Sequence, residues 1–418
     1  MTQAYTSKLT ARHILIIVSG IMMTFGCSAL VFSTWSAFQA VVPDLLGVDK
    51  ASWAAYITIL YFAEAFSAPF IGKLMTKYDI RLVLSASVIL VGLGFILISI
   101  FKSLWIFYLA GILMGLGEVG LMWLAVPTLC SRWFNQKSGT IIGLCMALTG
   151  IGGAFWLQVF NFLYQSGSGL SVWTIYLIWG IVALASSLPF TLFAIRKTPQ
   201  EAGTLPYGLP QTASGKPEGV SAQFAFKSKV FYSVFFFAGV INLLTIVAHQ
   251  LPSYTKSLVG VSFDPLAVGV MMATVMMASQ AISKLALGAA ADKNTKASFV
   301  AAIVSGVLGI LLVWFGTASP ILLYSGAAIY GFFFAACMVL VPVVVQKIFG
   351  TREYAEIYAR ISMFVNIFGG LAPVFWAYLG GFSYSLVFGV ALVLLVLVFI
   401  LGSYSFAHQE QIQEKWTA

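Results

Sequence analysis

The stretch Met271–Lys293 reads MMATVMMASQAISKLALGAAADK. It is long and apolar enough to cross a bilayer, which takes about 20 residues of α-helix. Lys284 nevertheless lies among its Ala, Leu and Gly residues, where a cation costs about 2.5–3.5 kcal/mol to insert. Such a residue usually faces a cavity or a partner. The stretch therefore predicts a membrane-spanning helix that brings a positive charge to a solute pathway.

The polar residues around Lys284 recur at four-residue intervals. Gln280 lies one turn before Lys284, on the same face of the predicted helix, and Gly288 lies one turn after it. Asp292 and Lys293 close the stretch. The pattern Gln-x3-Lys-x3-Gly-x3-Asp-Lys brings an amide and a cation to one face and predicts a structured cytoplasmic loop after the helix.

The composition predicts an integral membrane protein. The chain has 418 residues, of which 60% are hydrophobic and 8% charged, whereas about 25% of residues are charged in a soluble domain. We expect an all-α protein, without a cleaved signal peptide because the first apolar run continues too far. The twelve predicted spans are 14–40, 52–72, 82–101, 104–130, 139–164, 171–195, 230–253, 265–288, 297–318, 321–346, 356–382 and 384–406.

The basic residues predict the orientation and the domains. Nearly all of them fall in loops on one side, and the opposite loops hold only Lys50, Lys102 and Lys256. This asymmetry places both termini in the cytoplasm, and it accounts for the net charge of +9 without a nucleic-acid partner. A Gly, Pro and Ser-rich cytoplasmic linker, 197–228, separates two six-helix bundles, 1–196 and 229–418.

Two pairs of loop sequences indicate an internal repeat. Gly72-Lys-Leu-Met-Thr-Lys77 matches Gly288-Ala-Ala-Ala-Asp-Lys293, and Arg132-Trp-Phe-Asn-Gln-Lys137 matches Lys347-Ile-Phe-Gly-Thr-Arg352. The two pairs are offset by 216 and 215 residues. Nearly equal offsets indicate two homologous halves, an arrangement that places a binding site near the midplane between them.

These loops resemble those of the major facilitator superfamily. The segment from Gly72 to Lys77, followed by Arg81, is similar to the loop signature between helices two and three of that family, although Thr76 replaces its Asp and Asp79 replaces its second Gly. The resemblance covers essentially the whole chain. It implies that these loops brace the two halves on the cytoplasmic side, with Gly288, Asp292 and Lys293 in the second copy, which keeps the acid.

Two segments resemble one branch of that family, the oxalate:formate antiporters and monocarboxylate transporters. The first is Arg132-Trp-Phe-x-x-Lys137-x-Gly139. The second is the helix-eight pattern, in which Gln280 stands for the Asn or Asp of that branch and Lys284 for its substrate-binding Arg. Because Lys is a point charge rather than a bidentate fork, the resemblance implies carboxylate binding with less planar selection. The antiporters' second basic residue, deep in helix eleven, has no clear counterpart.

Lys284 is the first candidate for anion binding, and the alternative is a lysine that snorkels to the headgroups. Glu118 and Glu64 lie within spans four and two, where a buried carboxyl can carry a proton. Either one could neutralise Lys284 in an empty site. Their alternative role is a protonated acid that bonds to a neighbouring helix.

The remaining candidates are weaker. His249, near the end of span seven, suits a proton step, and an interfacial histidine is an equal alternative. Asn242 in the same span is a polar candidate, and the resemblance implies that Tyr330 of helix ten lines the cavity. Trp35 and Gln39 are comparable guesses in span one.

We therefore expect a secondary transporter of a small organic anion, most simply a monocarboxylate, that works by alternating access with proton symport or anion exchange. Proton-coupled multidrug efflux and a non-transporting membrane receptor are the alternatives. Enzyme motifs for nucleotide, metal or acyl chemistry are not visible, so no cofactor is expected. The expected partners are the anion, a proton or counter-anion, and the lipid of a bacterial inner membrane, with the protein as a monomer.

Overall fold

The chain forms two compact units. The first comprises Met1–Val48 and Ala55–Ser214, and the second comprises Gly215–Ala418 and the short stretch Asp49–Ala54. The division after residue 214 falls within the segment that the sequence predicts as a linker. The structure is a computed structural model that describes residues 6, 8–135, 138–166, 169–208, 219–350 and 353–416.

Twelve long helical segments account for most of the described residues, which confirms the predicted fold class. Eleven of the segments are long and apolar enough to cross a membrane. The exception, Lys50–Lys77, contains Glu64 and has lysines at both ends. The segments, labelled α1 to α12, are Ala11–Gln39, Lys50–Lys77, Ile80–Phe101, Leu104–Cys130, Ile141–Gln165, Val172–Ala194, Lys229–Lys256, Pro265–Lys293, Thr295–Phe315, Pro320–Phe349, Tyr354–Phe382 and Tyr384–Ala407.

Two helices of the first unit contain π-helical turns in their interiors, α1 at Thr24–Ser28 and α4 at Val119–Ala125. A π-turn disrupts the regular ladder of backbone hydrogen bonds. In α1, Trp156 Nε1 donates to the carbonyl of Phe25 at 2.8 Å, and Ser186 Oγ donates to that of Gly26 at 3.0 Å. Side chains of α5 and α6 therefore satisfy the backbone of the interrupted helix.

The first helix of the second unit is interrupted in a similar way. A 3₁₀ segment, Ile246–Gln250, separates two α-helical parts of α7. Trp376 Nε1 of α11 donates to the carbonyl of Leu243 at 2.7 Å, and the Tyr330 hydroxyl of α10 donates to that of Leu244 at 2.6 Å. The two units thus share one feature, a broken first helix whose carbonyl accepts a bond from a tryptophan of the fifth helix.

The N-terminal end of the predicted linker packs against the first unit. The Tyr207 amide donates to the carbonyl of Trp133, and the Asn135 amide donates to the carbonyl of Tyr207, both at 2.9 Å. His13 accepts the Thr10 amide at Nδ1, so its Nε2 carries the proton and donates to the Leu205 carbonyl at 3.0 Å. This end of the linker is ordered by main-chain bonds to the loop after α4.

The second end of the linker packs in the same manner against the second unit. The Val220 amide donates to the carbonyl of Phe349 at 3.0 Å. The Ala222 amide donates to Glu353 Oε2 at 2.8 Å, where the short helix Ala222–Lys227 begins. Phe134 and Phe349 are equivalent in the sequence repeat, so the two linker ends bind equivalent loops.

Candidate functional site

The first unit buries a carboxyl group against α1. Glu118 is fully buried and is the last residue of α4 before its π-helical turn. Ser28 Oγ donates to Glu118 Oε2 at 2.5 Å, and the Cys27 thiol lies 3.9 Å from Glu118 Oε1. Ser28 and Cys27 both belong to the π-helical turn of α1. The π-helical turn of α1 therefore places a hydroxyl and a thiol beside the Glu118 carboxyl.

A second carboxyl lies close to the first. Glu64 of α2 is 6% exposed, and it interacts electrostatically with Glu118. Its side chain also bonds to Trp123, while its Oε1 atom has no hydrogen-bond partner among the described residues. No lysine or arginine in the described part of the chain forms an ion pair with either acid. Two like charges that interact in a buried environment repel each other, so simultaneous ionisation of Glu64 and Glu118 is unfavourable.

The second unit holds Lys284, the cation that the sequence analysis singles out. Lys284 is half-buried in α8, with no ion pair among the described residues. Gln280, one turn earlier, is 4% exposed. Its Nε2 atom contacts the sulfur of Met277 at 3.0 Å, and its Oε1 atom has no hydrogen-bond partner in the described part of the chain. A cation and an unsatisfied acceptor thus lie one turn apart on one helix.

Asn242 of α7 and Cys337 of α10 add to the cluster of polar side chains that begins with Lys284 and Gln280. The Cys337 thiol lies 3.5 Å from Asn242 Oδ1 and interacts electrostatically with Lys284. Asn242 Nδ2 donates to the carbonyl of Val365 at 2.8 Å. Cys337, which the sequence analysis does not single out, is therefore a neighbour of Asn242 and lies within electrostatic range of Lys284.

His249 and Tyr330 have specific structural surroundings. His249 lies in the 3₁₀ segment of α7, only 3% exposed, with its ring 6.3 Å from that of Phe334. It is therefore a buried histidine rather than one at a solvent-exposed helix end. Tyr330 is 4% exposed and its hydroxyl donates to Leu244, as described above. To donate to a bound solute, the Tyr330 hydroxyl would have to give up its hydrogen bond to Leu244.

Comparison with known proteins gives the family. The family model described as Major Facilitator Superfamily matches residues 21–278 and 261–415. The chain belongs to the major facilitator superfamily. The resemblance noted in its loop sequences is thereby confirmed.

Relatives within the superfamily are distant. The uncharacterized MFS-type transporter YhjX of Escherichia coli (strain K12) is 23% identical over 332 residues, which are 79% of each chain. Monocarboxylate transporter 13 of Rattus norvegicus is 34% identical over 140 residues, which are 32% of this chain and 31% of that protein. Both are transporters by name, so the comparisons place this superfamily member among membrane transporters and not among enzymes.

Solved structures show the same fold. A bacterial homologue of the human lysosomal transporter Spinster, in an inward-facing and unoccupied conformation, superposes with a TM-score of 0.71 over 97% of this chain and 98% of its own. The two sequences are 14% identical. At this identity the match establishes the superfamily fold and carries no information on the solute.

The predicted gating residues of the superfamily loops lie near helix ends. Gly72 is in α2, Lys77 ends that helix, and Arg81 is in the first turn of α3, paired with Asp79 at 2.6 Å. Arg132 lies in the last turn of the helix Val126–Trp133, which forms the end of α4, and its buried Nη1 atom has no hydrogen-bond partner among the described residues. Lys137 lies outside the described residues.

The second copy of the loop signature ends α8. Gly288, Asp292 and Lys293 all fall within that helix, and Lys293 is exposed at its end. Whether the two copies brace the halves of the transporter stays a prediction.

Ser28, Cys27 and Cys337 are the site residues that sequence reasoning misses. Small polar residues are common in apolar helices, where they usually bond to their own backbone. The dipeptide Phe-Trp does recur in the fifth helix of each unit, at Phe155-Trp156 in α5 and at Phe375-Trp376 in α11. In the structure, each of these tryptophans donates a hydrogen bond to the interrupted first helix of its unit.

Proposed function

We propose that this superfamily member is a secondary transporter of a small organic anion of the monocarboxylate class. The observation that carries the proposal is Lys284, a half-buried cation without an ion pair among the described residues. A cation in a membrane-spanning helix is costly unless it meets a partner or a cavity. A solute carboxylate supplies that partner, and charge-assisted hydrogen bonds to carboxylates are among the stronger polar interactions in proteins.

The surroundings of Lys284 suit an anion that also bears a hydrogen-bond donor. Gln280 Oε1 is buried without a hydrogen-bond partner in the described part of the chain. A buried acceptor that receives no hydrogen bond is energetically unfavourable. A hydroxyl group on the bound carboxylate would satisfy it. The partial match to the rat protein named monocarboxylate transporter 13 supports the same solute class.

Binding by the purified transporter tests the anion site. Thermal stabilisation by acetate, propionate, lactate and pyruvate is measured for wild type, Lys284→Arg and Lys284→Ala, because ligand binding to the folded state raises the melting temperature. We expect stabilisation by at least one acid, retained in Lys284→Arg and lost in Lys284→Ala. Lys296→Ala, at an exposed lysine of α9, is the control. Equal stabilisation of Lys284→Ala would refute the anion site, and stabilisation by cationic drugs alone would favour efflux.

Glu118 is the proposed proton carrier, with transport by alternating access as symport or exchange. The buried pair of Glu118 and Glu64 lacks a cationic partner in the described residues, and such a pair can take up and release a proton. In proteoliposomes, an inward proton gradient should accelerate carboxylate uptake by wild type. In Glu118→Gln this acceleration should disappear, while carboxylate exchange, which requires no net proton movement, should persist.

Glu64→Gln is the comparison variant, since it removes the other acid of the pair. Loss of coupling in Glu64→Gln alone would assign the proton to α2. Unchanged acceleration in both variants would refute proton coupling by these acids.

A further inference from the structure

A cavity of about 470 Å³ lies at the end of the second unit where α7, α9 and α11 end and α12 begins. This end is remote from the linker, which leads into the other end of α7. The short stretch Asp49–Ala54, which belongs to the same unit, adds one residue to the wall. The lining includes a cation, three aromatic rings and a threonine hydroxyl, from Lys50, Tyr254, Trp314, Tyr384 and Thr317.

The cavity lies outside the candidate anion site. α8, which carries Lys284 and Gln280, contributes none of the described lining residues. A ligand in this cavity would therefore bind independently of Lys284.

Lys50 is the cation of the cavity. It is half-buried, and its Nζ atom donates to the Tyr384 hydroxyl at 3.4 Å. This bond is long, because N–H···O hydrogen bonds cluster at about 2.9–3.0 Å. The adjacent carboxylate of Asp49 accepts the Ser52 amide at 2.8 Å, at the start of α2. None of the described lining residues is acidic, so the cavity favours an anion.

The rings of the cavity point into the unit. Tyr254 and Tyr384 are only 4% and 7% exposed, and their ring centres are 5.3 Å apart. The Tyr254 hydroxyl donates to the Val313 carbonyl at 3.1 Å, which fixes that ring. Tyrosines of an interfacial belt face the lipid headgroups instead. Walls of this kind suit a flat apolar body, which aromatic rings bind by offset or edge-to-face contacts.

We propose that this cavity binds an aromatic monocarboxylate, with the carboxylate at Lys50 and the ring of the ligand against the aromatic walls. A carboxylate forms a charge-assisted bond to an ammonium, which is stronger than the present bond from Lys50 to a neutral hydroxyl. The Thr317 hydroxyl supplies a further donor at the cavity wall. The site goes beyond the proposed function, because it neither contains Lys284 nor requires transport.

Benzoate binding to purified Lys284→Ala tests the charge of the site, because this variant lacks the cation of α8. We expect benzoate to raise its melting temperature, and benzamide, which has nearly the same shape without the charge, to leave it unchanged. Lys50→Gln in the same background should raise the Kd for benzoate, measured by titration calorimetry, by about ten-fold or more. An unchanged Kd, or equal stabilisation by benzamide, would overturn the proposal.

Lys256→Gln is the matched control for Lys50→Gln. Lys256 is exposed at the end of α7 and is not a lining residue. Its substitution removes the same charge at the same end of the unit, and it should change the Kd by less than about three-fold. An equal rise in Lys50→Gln and Lys256→Gln would show a general effect of charge and would overturn the site.

Two substitutions of the half-buried Trp314 test the aromatic wall. Trp314→Phe keeps a ring and should leave the Kd for benzoate within about three-fold, whereas Trp314→Leu should raise it further by the loss of ring contacts. A lower Kd in Trp314→Leu than in Trp314→Phe would contradict an aromatic wall.

An anionic lipid headgroup would offer the same charge as a free carboxylate. Glycerol 3-phosphate represents that headgroup, and it should not stabilise Lys284→Ala. Stabilisation by glycerol 3-phosphate without stabilisation by benzoate would assign the cavity to a lipid phosphate and overturn the proposal.

This inference and the proposed anion site fail separately. Benzoate binding that persists in Lys284→Ala and weakens in Lys50→Gln supports the cavity even if no acid binds at Lys284. If Lys284→Ala binds no benzoate, the cavity inference is wrong and the anion site at Lys284 is unaffected. Acetate, propionate, lactate and pyruvate lack a ring, so they should bind the cavity too weakly to stabilise Lys284→Ala.

Discussion

At the scale of single residues, Asp79 explains a departure from the superfamily loop signature. The family has a second glycine at this position. Here the carboxylate accepts the Arg81 backbone amide at 2.9 Å and the Arg81 guanidinium at 2.6 Å, and it caps the first turn of α3. The hydrogen bond from the Arg81 side chain holds the pKa of Asp79 below its usual range. Asp79 therefore contributes a helix cap at this position.

Removing this cap should destabilise the transporter. We expect Asp79→Ala to lower the free energy of unfolding by about 1 kcal/mol at neutral pH, as for other N-caps. Because the folded-state pKa is lowered, the carboxylate's contribution is complete above the unfolded pKa of about 3.9 and is lost as the pH falls through the folded value. The difference in melting temperature between wild type and Asp79→Ala should therefore shrink below about pH 4.

Asp264→Ala is a matched control for Asp79→Ala. Asp264 caps α8 by accepting the amides of Leu266 and Ala267 at 3.0 and 3.1 Å, and it has no ion pair among the described residues. Asp264→Ala should therefore lose only the free energy that the helix cap contributes. A larger loss in Asp264→Ala than in Asp79→Ala would contradict a contribution from the Arg81 pair.

The charged residues of the candidate site are predictable from sequence, and their neutral partners are not. Lys284, Glu118 and Glu64 stand out because a charge within an apolar span is rare and costly. Ser28 and Cys337 do not stand out, because small polar residues occur throughout apolar helices. Their partners depend on the rotation and register of neighbouring helices, which periodicity in a single helix does not fix.

At the scale of helices, the number and approximate ends of the spans follow from hydropathy, but the interruption of α1 does not. The predicted spans 14–40 and 230–253 correspond to α1 and α7, both of which contain a non-α turn. In α7, Pro252 follows the 3₁₀ segment and lacks the amide that would bond to the carbonyl of Ala248, and such a proline is the usual sequence signal for a helix break. The π-helical turn of α1 has no such proline. It is satisfied instead by donors on other helices, Trp156 among them, so tertiary contacts determine where α1 breaks.

The broken helices also position the candidate site. In α1 the π-helical turn carries Ser28 towards Glu118, and in α7 the α-helix ends at Thr245, one turn after Asn242. Glu118 thus has a polar neighbour in the irregular turn of α1, whereas Asn242 lies in the regular part of α7, just before its 3₁₀ segment. Irregular turns of this kind are frequent at functional sites, so we infer that the interruptions serve the solute pathway.

At the scale of the whole molecule, the chain consists of two repeats, each of which binds one end of the linker. Residues 197–228 have the composition of a flexible linker, and that composition does not predict ordered ends. Both ends nevertheless form main-chain bonds to the equivalent loops after α4 and α10. The ring of Tyr207 packs 6.2 Å from that of His13 and 6.4 Å from that of Phe134. The ordered ends should contribute to the stability of their own units.

A change in linker length and the loss of a docked linker end should therefore affect the stability of the protein differently. Insertion of a ten-residue Gly-Ser segment after residue 213 leaves both docked ends intact, and the entropic cost of a longer connection is only about 0.6 kcal/mol per doubling of its length. We expect an unchanged melting temperature for this insertion. Tyr207→Ala should lower the free energy of unfolding by about 2 kcal/mol through lost ring contacts, whereas Tyr207→Phe should retain most of it. Melting temperatures of the three purified variants test this, and an insertion as damaging as Tyr207→Ala would show that length, rather than docking, is constrained.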